Sequence, residues 1–399
     1  MRIAMIHWAF PPIIGGVESH LALLCPFLQK QGHQVALLTG SAPGAPAQEN
    51  YQEVMVKRSP LLDLNGLTPE EIEAREGEIR NLLEDFLLFW KPEVVHAHNL
   101  HYFSFVHAHH LQEICRKHGW PLILTAHNVW QDHVWHRMNS LAGGWDHVIA
   151  VSHYIRQELI YNGYPLDRIT VVHHGIDTVY FRPPAKGERE ALWEAYPAWK
   201  GRRVVFHPAR MSLAKGCDVS IRALALVREE FPDVLLVMAG HTKTVDWEAK
   251  QSKEVALLRQ LIADLDLEDH VYIHFFPWQE MPRAYRAAEI CIYPSVSQEP
   301  FGVVMLEAMA TARPIIVSRC GGMPEVILPG YNGFLVDPRD HQDLARWILF
   351  LLRCPEVGEA VGNTGRRLME EKYTVAMMVR NTLAVYRKVL TASRAAVEN

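Results

Sequence analysis

Short runs that are apolar on both faces recur along the whole chain, each followed by a longer stretch with helical spacing. Val234-Leu235-Leu236-Val237-Met238 and Pro314-Ile315-Ile316-Val317 are the clearest. A run apolar throughout has to be covered on both sides, as a central parallel strand is when helices pack on either face of its sheet. In the first half the pattern predicts strands at Ile3–His7, Val35–Thr39, Val94–His98, Leu122–Ala126, Val148–Val151 and Thr170–His173. Helices are expected between them at Glu18–Gln31, Pro69–Trp90, Phe103–His118 and Tyr154–Tyr161. The second half repeats the scheme, with strands at Val204–His207, Val234–Ala239, Val271–Phe275, Ile290–Tyr293 and Pro314–Val317. Its helices are expected near Asp218–Phe231, Val255–Leu265, Met281–Ala288 and Val303–Ala312. Such alternation predicts an α/β fold of two Rossmann-like, doubly wound parallel-sheet domains. The length agrees, since 399 residues suit two domains of roughly 200. The breaker- and charge-rich segment Phe181–Arg189 marks the join. It gives an N-terminal domain at 1–182, a linker at 183–200, a C-terminal domain at 201–373 and a terminal helical pattern at 374–399.

Composition narrows the function by exclusion. Residues 1–182 hold 13 Lys and Arg against 18 Asp and Glu, so the whole net charge of −5 sits there and the remainder balances. Neither half has the basic excess of a protein that grips nucleic acid. The six cysteines are scattered without a Cys-x-x-Cys pair, which argues for buried reduced thiols and a cytoplasmic location. The apolar start meets Pro11-Pro12 almost at once and the longest later apolar stretch is short. No signal peptide or transmembrane segment is expected, and membrane contact would be peripheral.

Ligands of open α/β sheets bind at the carboxyl ends of the strands, so the loops there are the place to look for chemistry. The first strand runs through Gly15-Gly16-Val17-Glu18 into a helix, a turn whose backbone N–H groups can approach a phosphate. It is neither a dinucleotide fingerprint nor a Walker loop, and alone it is equally a tight turn without ligand. Arg210 and Lys215 follow the strand Val204–His207 and precede a helix. A forked guanidinium and a point-like ammonium there suit a diphosphate, although either alone would read as a solvated surface cation. The stretch Tyr293 to Ala310 is the most specific. Glu299 stands in a loop before a helix whose N–H groups at Gly302, Val303 and Val304 are free for a ligand. Glu307 is the one carboxylate in an otherwise apolar helix, which demands a partner: a vicinal diol such as a ribose, or an arginine or backbone group nearby.

With these residues in view the chain resembles the nucleotide-sugar-dependent retaining glycosyltransferases of the family-4 type, with the two-domain GT-B fold. The likeness runs nearly end to end: Gly15-Gly16-Val17-Glu18, Thr125-Ala126-His127, Gly175-Ile176-Asp177, Arg210 with Lys215-Gly216, Glu299 and Glu307, Gly321-Gly322-Met323-Pro324-Glu325, and Asn332-Gly333-Phe334. The resemblance implies that Arg210 and Lys215 bind the donor pyrophosphate and that Glu307 takes the ribose. It implies that Glu299 holds donor-sugar hydroxyls beside backbone amides from Phe301, Gly302, Val303 and Val304. Gly16 would near the phosphates, His127 would face the transferred sugar, and the terminal helix would cross back to the first domain. Two departures stand out. Ala310-Thr311-Ala312-Arg313-Pro314 replaces the usual Ala-x-Gly-x-Pro, and Ala239-Gly240-His241-Thr242 replaces a Gly-x-Gly strand end.

The implied reaction moves a sugar from a nucleotide-diphosphate donor, with UDP the favoured base, to a hydroxyl of a glycan, glycolipid or small molecule. It proceeds with retention and by a front-face path that needs no metal or other cofactor, because cations and helix N-termini balance the leaving diphosphate. A disaccharide phosphorylase or synthase of the same fold and a non-catalytic sugar-nucleotide binder are the alternatives. Histidine is the remaining oddity: 12 of 22 lie between His96 and His153. No metal-ligand spacing such as His-Glu-x-x-His occurs, so most are expected on helix surfaces or in loops and no metal is expected. His98 and His101, with Gly15 and Trp130, are candidates to meet the acceptor.

Overall fold

The protein is described from a computed structural model covering residues 1–13, 15–239 and 248–398, with backbone alone at 189–190, 248–252 and 394–398. Two compact units divide the chain. The first comprises Met1–His174 with Val375–Asn399, and the second Gly175–Thr374.

The first unit is built on eight strands: β1 (Arg2–Ile6), β2 (Gln34–Gly40), β3 (Gln48–Tyr51), β4 (Val54–Ser59), β5 (Val94–His98), β6 (Leu122–Ala126), β7 (His147–Ala150) and β8 (Ile169–Val171). They lie in the order β3-β4-β2-β1-β5-β6-β7-β8, parallel except for β3. The second unit has six strands: β9 (Arg203–His207), β10 (Val234–Ala239), β11 (Val271–His274), β12 (Ile290–Tyr293), β13 (Ile315–Ser318) and β14 (Phe334–Val336). Their order is β11-β10-β9-β12-β13-β14, all parallel. Both sheets are doubly wound: the direction of strand addition reverses at β1 and at β9. The paired strands on either side of each reversal diverge in their connections, and the crevice between those connections is where such sheets hold ligands.

Burial explains why the interior strands could be read from sequence. Met5, Leu37, Val205, Leu236, Ile292 and Ile316 are buried within their sheets, helices covering both faces. The differences lie at the edges. β3 is Gln-Glu-Asn-Tyr, a polar antiparallel edge strand whose side chains need no cover, and β14 has only three residues. The expected helix Pro69–Trp90 breaks at Arg75 into Pro69–Ala74 and Glu76–Trp90.

The segment 183–200, expected as a linker, folds into the second unit instead. Its helix Glu188–Ala195 is tied down where Glu188 pairs with Arg286 at 2.9 Å, and Arg182 donates to Glu188 at 2.8 Å. Tyr196 stacks on the fully buried Trp199, and its hydroxyl donates to Glu280 at 2.8 Å. Breakers and charge marked a turn there, but the aromatic residues after it are core.

The last helix, Val375–Glu398, packs into the first unit. Val375, Met378, Val379, Leu383, Val385, Tyr386 and Val389 join Ile3, Leu21, Leu24 and Val94 in one apolar cluster. Tyr386 also reaches the sheet, its hydroxyl 2.7 Å from His96 Nδ1, while His96 Nε2 is 2.7 Å from Thr125 Oγ1. Replacing Tyr386 with Phe leaves a buried imidazole nitrogen without its partner. Tyr386→Phe should lower the unfolding free energy by about 1–3 kcal/mol in a denaturant titration.

Candidate active site

In the second unit, Lys215 follows β9 and Glu299 follows β12, the neighbouring strands at the reversal of the sheet. Two glycines make their meeting possible. Gly216, at φ +72°, caps the helix Cys217–Arg228, and a Cβ there would stand 1.9 Å from Pro294 O. Gly321, at φ +55°, lies so close that a Cβ would stand 1.9 Å from Glu299 O. Only residues without a side chain allow this packing of loops. Lys215 Nζ then donates to Glu299 Oε1 at 2.7 Å, and Ser295 Oγ lies 2.8 Å from the same oxygen. Gly322 N donates to the Glu299 backbone carbonyl at 2.8 Å. Glu299 is buried and Lys215 partly exposed, so the carboxylate is fixed while the ammonium still faces solvent.

Two helices start beside this pair. Gly216 caps Cys217–Arg228 and Gly302, at φ +85°, caps Val303–Ala310; neither offers a capping side chain. Their positive dipole ends are therefore available to an anion, although the Cys217 N–H itself donates to Ser212 O at 3.3 Å. Arg210 stands partly buried between β9 and Lys215, its carbonyl accepting from Cys217 Sγ at 3.6 Å. His207, ending β9, is buried with Nδ1 2.9 Å from Ser220 Oγ. Burial and the nearby Lys215 charge press its pKa to about 3, so it is a neutral structural group.

Glu307 is enclosed in the helix Val303–Ala310 as the sequence required. Its partner is a phenol: Tyr285 OH donates to Oε2 at 2.5 Å. Burial raises the Glu307 pKa to about 7, partly opposed by that hydrogen bond.

In the first unit, Gly15 caps the helix Gly16–Lys30 with no side-chain cap, and a Cβ at Gly15 would strike Glu18 Oε2 at 2.1 Å. Gly16 has open space around it. His7 Nδ1 donates to His98 O at 2.9 Å, and its Nε2 lies 3.2 Å from Glu18 Oε1. His127 follows β6; its backbone N–H donates to Asn99 Oδ1 at 2.8 Å and its Nε2 lies 3.0 Å from His98 Nδ1. Asn99, at φ +52°, turns the chain at the end of β5 so that its side chain can do this. His101 Nε2 donates to Asn128 O at 2.9 Å, among the rings of Trp130, Trp135 and Tyr164. Trp130 stacks one face on Tyr102 at 3.8 Å, so that face is packing.

The expectation of surface histidines is corrected. His96, His98, His101, His107 and His110 are buried. The helix Phe105–His118 turns His107 inward, where Nε2 donates to Leu61 O at 2.8 Å, and His110 meets Glu76 at 2.8 Å. Of the four on that helix His109 has the most exposed side chain, and His118 is partly exposed. Asn99, Tyr285, Ser295 and the first-unit His20 were not singled out from the sequence, because each gains its role from a neighbour distant along the chain. Gly240, His241, Thr242 and Ile14 lie outside the described residues.

A buried carboxyl with a raised pKa is stabilising when protonated. Its contribution is intact below the unfolded value near 4.5 and is lost as pH rises through about 7. Glu307→Gln should therefore gain on the wild type by about 2–3 kcal/mol between pH 4.5 and 7 in ligand-free unfolding titrations.

The family model for glycosyl transferases group 1 matches residues 189–368, and that for glycosyltransferase family 4 matches residues 14–180. An uncharacterised glycosyltransferase of Methanocaldococcus jannaschii is 28% identical, over 97% of this chain and 98% of its own length. The sucrose-phosphate synthase of Thermosynechococcus elongatus superposes with a TM-score of 0.81 at 20% identity, covering 98% of this chain and 99% of its own. The Anabaena protein HepE, solved with UDP and glucose, superposes with a TM-score of 0.77 at 20% identity, over 96% and 98%. Among the described residues no helix is long and apolar enough to cross a membrane. With both family models matching in order along the chain, and two doubly wound sheets of the expected kind, the protein belongs to the family-4 glycosyltransferases of GT-B fold.

Proposed function

We propose that the chain transfers a hexose, with retention of anomeric configuration, from a UDP-sugar to an acceptor hydroxyl. The observation that carries this reading is the Lys215–Glu299 pair set between two uncapped helix N-termini at the sheet reversal, with Glu307 one helix turn pair beyond. The UDP preference is supported by the UDP and glucose held by HepE.

In this reading Arg210, Lys215 and the leading amides of the helices Cys217–Arg228 and Val303–Ala310 take the donor diphosphate. As the bond from the anomeric carbon to phosphate oxygen lengthens, charge grows on the diphosphate and these groups stabilise it. Their positive charge supplies the neutralisation, so the transfer is proposed to need no cofactor. Phe301 to Val304 contribute backbone contacts and Glu307 accepts from the ribose hydroxyls. Glu299, already fixed by Lys215 and Ser295, accepts from donor-sugar hydroxyls and is not assigned as nucleophile. The acceptor hydroxyl attacks on the face the leaving group vacates, forming the new C–O bond as the old one breaks, and its proton passes to the departing phosphate oxygen. His127 is assigned to the transferred sugar, Gly16 to the phosphates, and Gly15, His98, His101 and Trp130 to the acceptor side.

Lys215→Ala and Glu299→Ala should each lower transfer by about 10²–10³-fold while circular dichroism and thermal unfolding stay native-like. Transfer at the wild-type rate by a folded double variant would refute the assignment, and a requirement for free phosphate would indicate phosphorolysis instead. Proton NMR of the product's anomeric centre reads retention directly.

The Glu307 carboxyl yields a second test. A ribose diol donates two hydrogen bonds, so it selects the ionised carboxylate, and UDP binding must expel the proton that Glu307 holds below about pH 7. Calorimetry in buffers of different ionisation enthalpy should show proton release at pH 6.5. Affinity for a UDP-sugar, whose diphosphate does not titrate in this range, should fall up to tenfold per pH unit below 7, and Glu307→Gln should abolish this dependence while weakening binding.

A further inference from the structure

Four imidazoles converge at the carboxyl end of the first unit's sheet, each from a different element. His20 belongs to the helix Gly16–Lys30, His98 ends β5, His127 follows β6 and His174 follows β8. The His20 ring centroid lies 4.8 Å from those of His127 and His174 and 5.5 Å from that of His98, and the His98 and His127 centroids are 5.3 Å apart. Nitrogen faces nitrogen twice: His98 Nδ1 and His127 Nε2 at 3.0 Å, and His20 Nδ1 and His174 Nδ1 at 3.0 Å.

A neutral imidazole has one N–H and one lone pair, and its surroundings usually decide which nitrogen carries which. Here they do not. His98 Nδ1 and His127 Nε2 share one hydrogen bond, so one of them carries N–H; the outer His98 Nε2 and His127 Nδ1 are buried with no hydrogen-bond partner, and moving that proton to its ring's outer nitrogen leaves both facing nitrogens with lone pairs for a cation. His20, His98 and His127 each place one nitrogen within 4.8 Å of the other two. Zinc–imidazole bonds of about 2.0–2.1 Å put tetrahedral ligand nitrogens about 3.3 Å apart. The His98–His127 spacing is already close to this, and the His20 nitrogen, within 4.8 Å of both, has to draw nearer when an ion binds. Burial first, then the neighbouring imidazoles, hold the pKa values of His20, His98 and His127 well below the usual histidine value; burial also lowers that of His174. The rings are therefore neutral and able to ligate at pH 7.

We propose that His20, His98 and His127 form a site for a divalent late transition ion of the zinc kind, with His174 set against His20 to orient its ring. Three imidazoles without a carboxylate suit Zn²⁺ and disfavour Mg²⁺ and Ca²⁺, which take oxygen ligands. The fourth coordination position stays open to water. One consequence rests on the assignment of His127 to the transferred sugar: an ion here occupies that imidazole, so Zn²⁺ inhibits transfer and a chelator restores it.

The test uses the full chain, stripped with chelator and dialysed. Zn²⁺ calorimetry should give one saturable equivalent, and Co²⁺ should produce the intense visible absorption of a four-coordinate ion. His20→Gln and His98→Gln, checked as folded by circular dichroism, should each weaken Zn²⁺ at least tenfold, whereas exposed His109→Gln should leave it unchanged. Absence of stoichiometric binding, or affinity unaltered in both inner variants, overturns the site. In the transfer assay, added Zn²⁺ should lower the wild-type rate reversibly, and His20→Gln should hold its own metal-free rate at the same concentration. Stoichiometric Zn²⁺ with undiminished wild-type transfer would uphold the site and overturn the inhibition, pointing to a sugar position away from His127. Loss of activity in Lys215→Ala with metal binding intact would show the two assignments to be separate.

Discussion

The bond from Lys215 to Glu299 ties together the switch point of the second domain. It is made between loops that leave adjacent strands at the reversal of the sheet, and so it exists only because β9 and β12 are neighbours with connections running to opposite faces. Each glycine around it removes a clash that any side chain would create, at Gly216 against Pro294 and at Gly321 against Glu299. A carboxylate buried at that depth is tolerated because an ammonium and a hydroxyl already satisfy it. Glu307 presents the opposite solution: with one phenol as its hydrogen-bond donor, burial raises its pKa to about 7.

What was legible in the sequence follows from how locally each feature is determined. Central strands such as Val234–Ala239 and Ile290–Tyr293 could be bounded to the residue, because burial on both faces leaves an unbroken apolar signature. The edge strand Gln48–Tyr51 could not, since its polar side chains look like a loop. Arg210, Lys215 and Glu299 were marked by their place at strand ends and helix starts, and Glu307 as the one carboxylate of an apolar helix, all of which sequence order records. Tyr285 as the partner of Glu307, and Ser295 as a support of Glu299, were not: those pairings depend on how separate segments pack.

The histidines show the same limit more sharply. Counting along the chain suggested a cluster between His96 and His153, largely on surfaces. In three dimensions many of those residues are buried with private partners, His96 with Tyr386 and Thr125, and His107 with Leu61. The gathering of imidazoles that the fold does create draws on His20 and His174, which lie outside the dense stretch of sequence. A parallel sheet brings strand ends together regardless of their separation in the chain, so linear spacing rules for ligands do not apply to it.

The terminal helix has a consequence for biosynthesis. Residues 1–174 emerge from the ribosome first, yet their apolar cluster includes Met378, Leu383 and Tyr386, which are made only after the whole second unit. The first domain therefore waits with an uncovered face while the second, continuous from Gly175 to Thr374, can fold as it appears. The unit begun before the second is completed only after it.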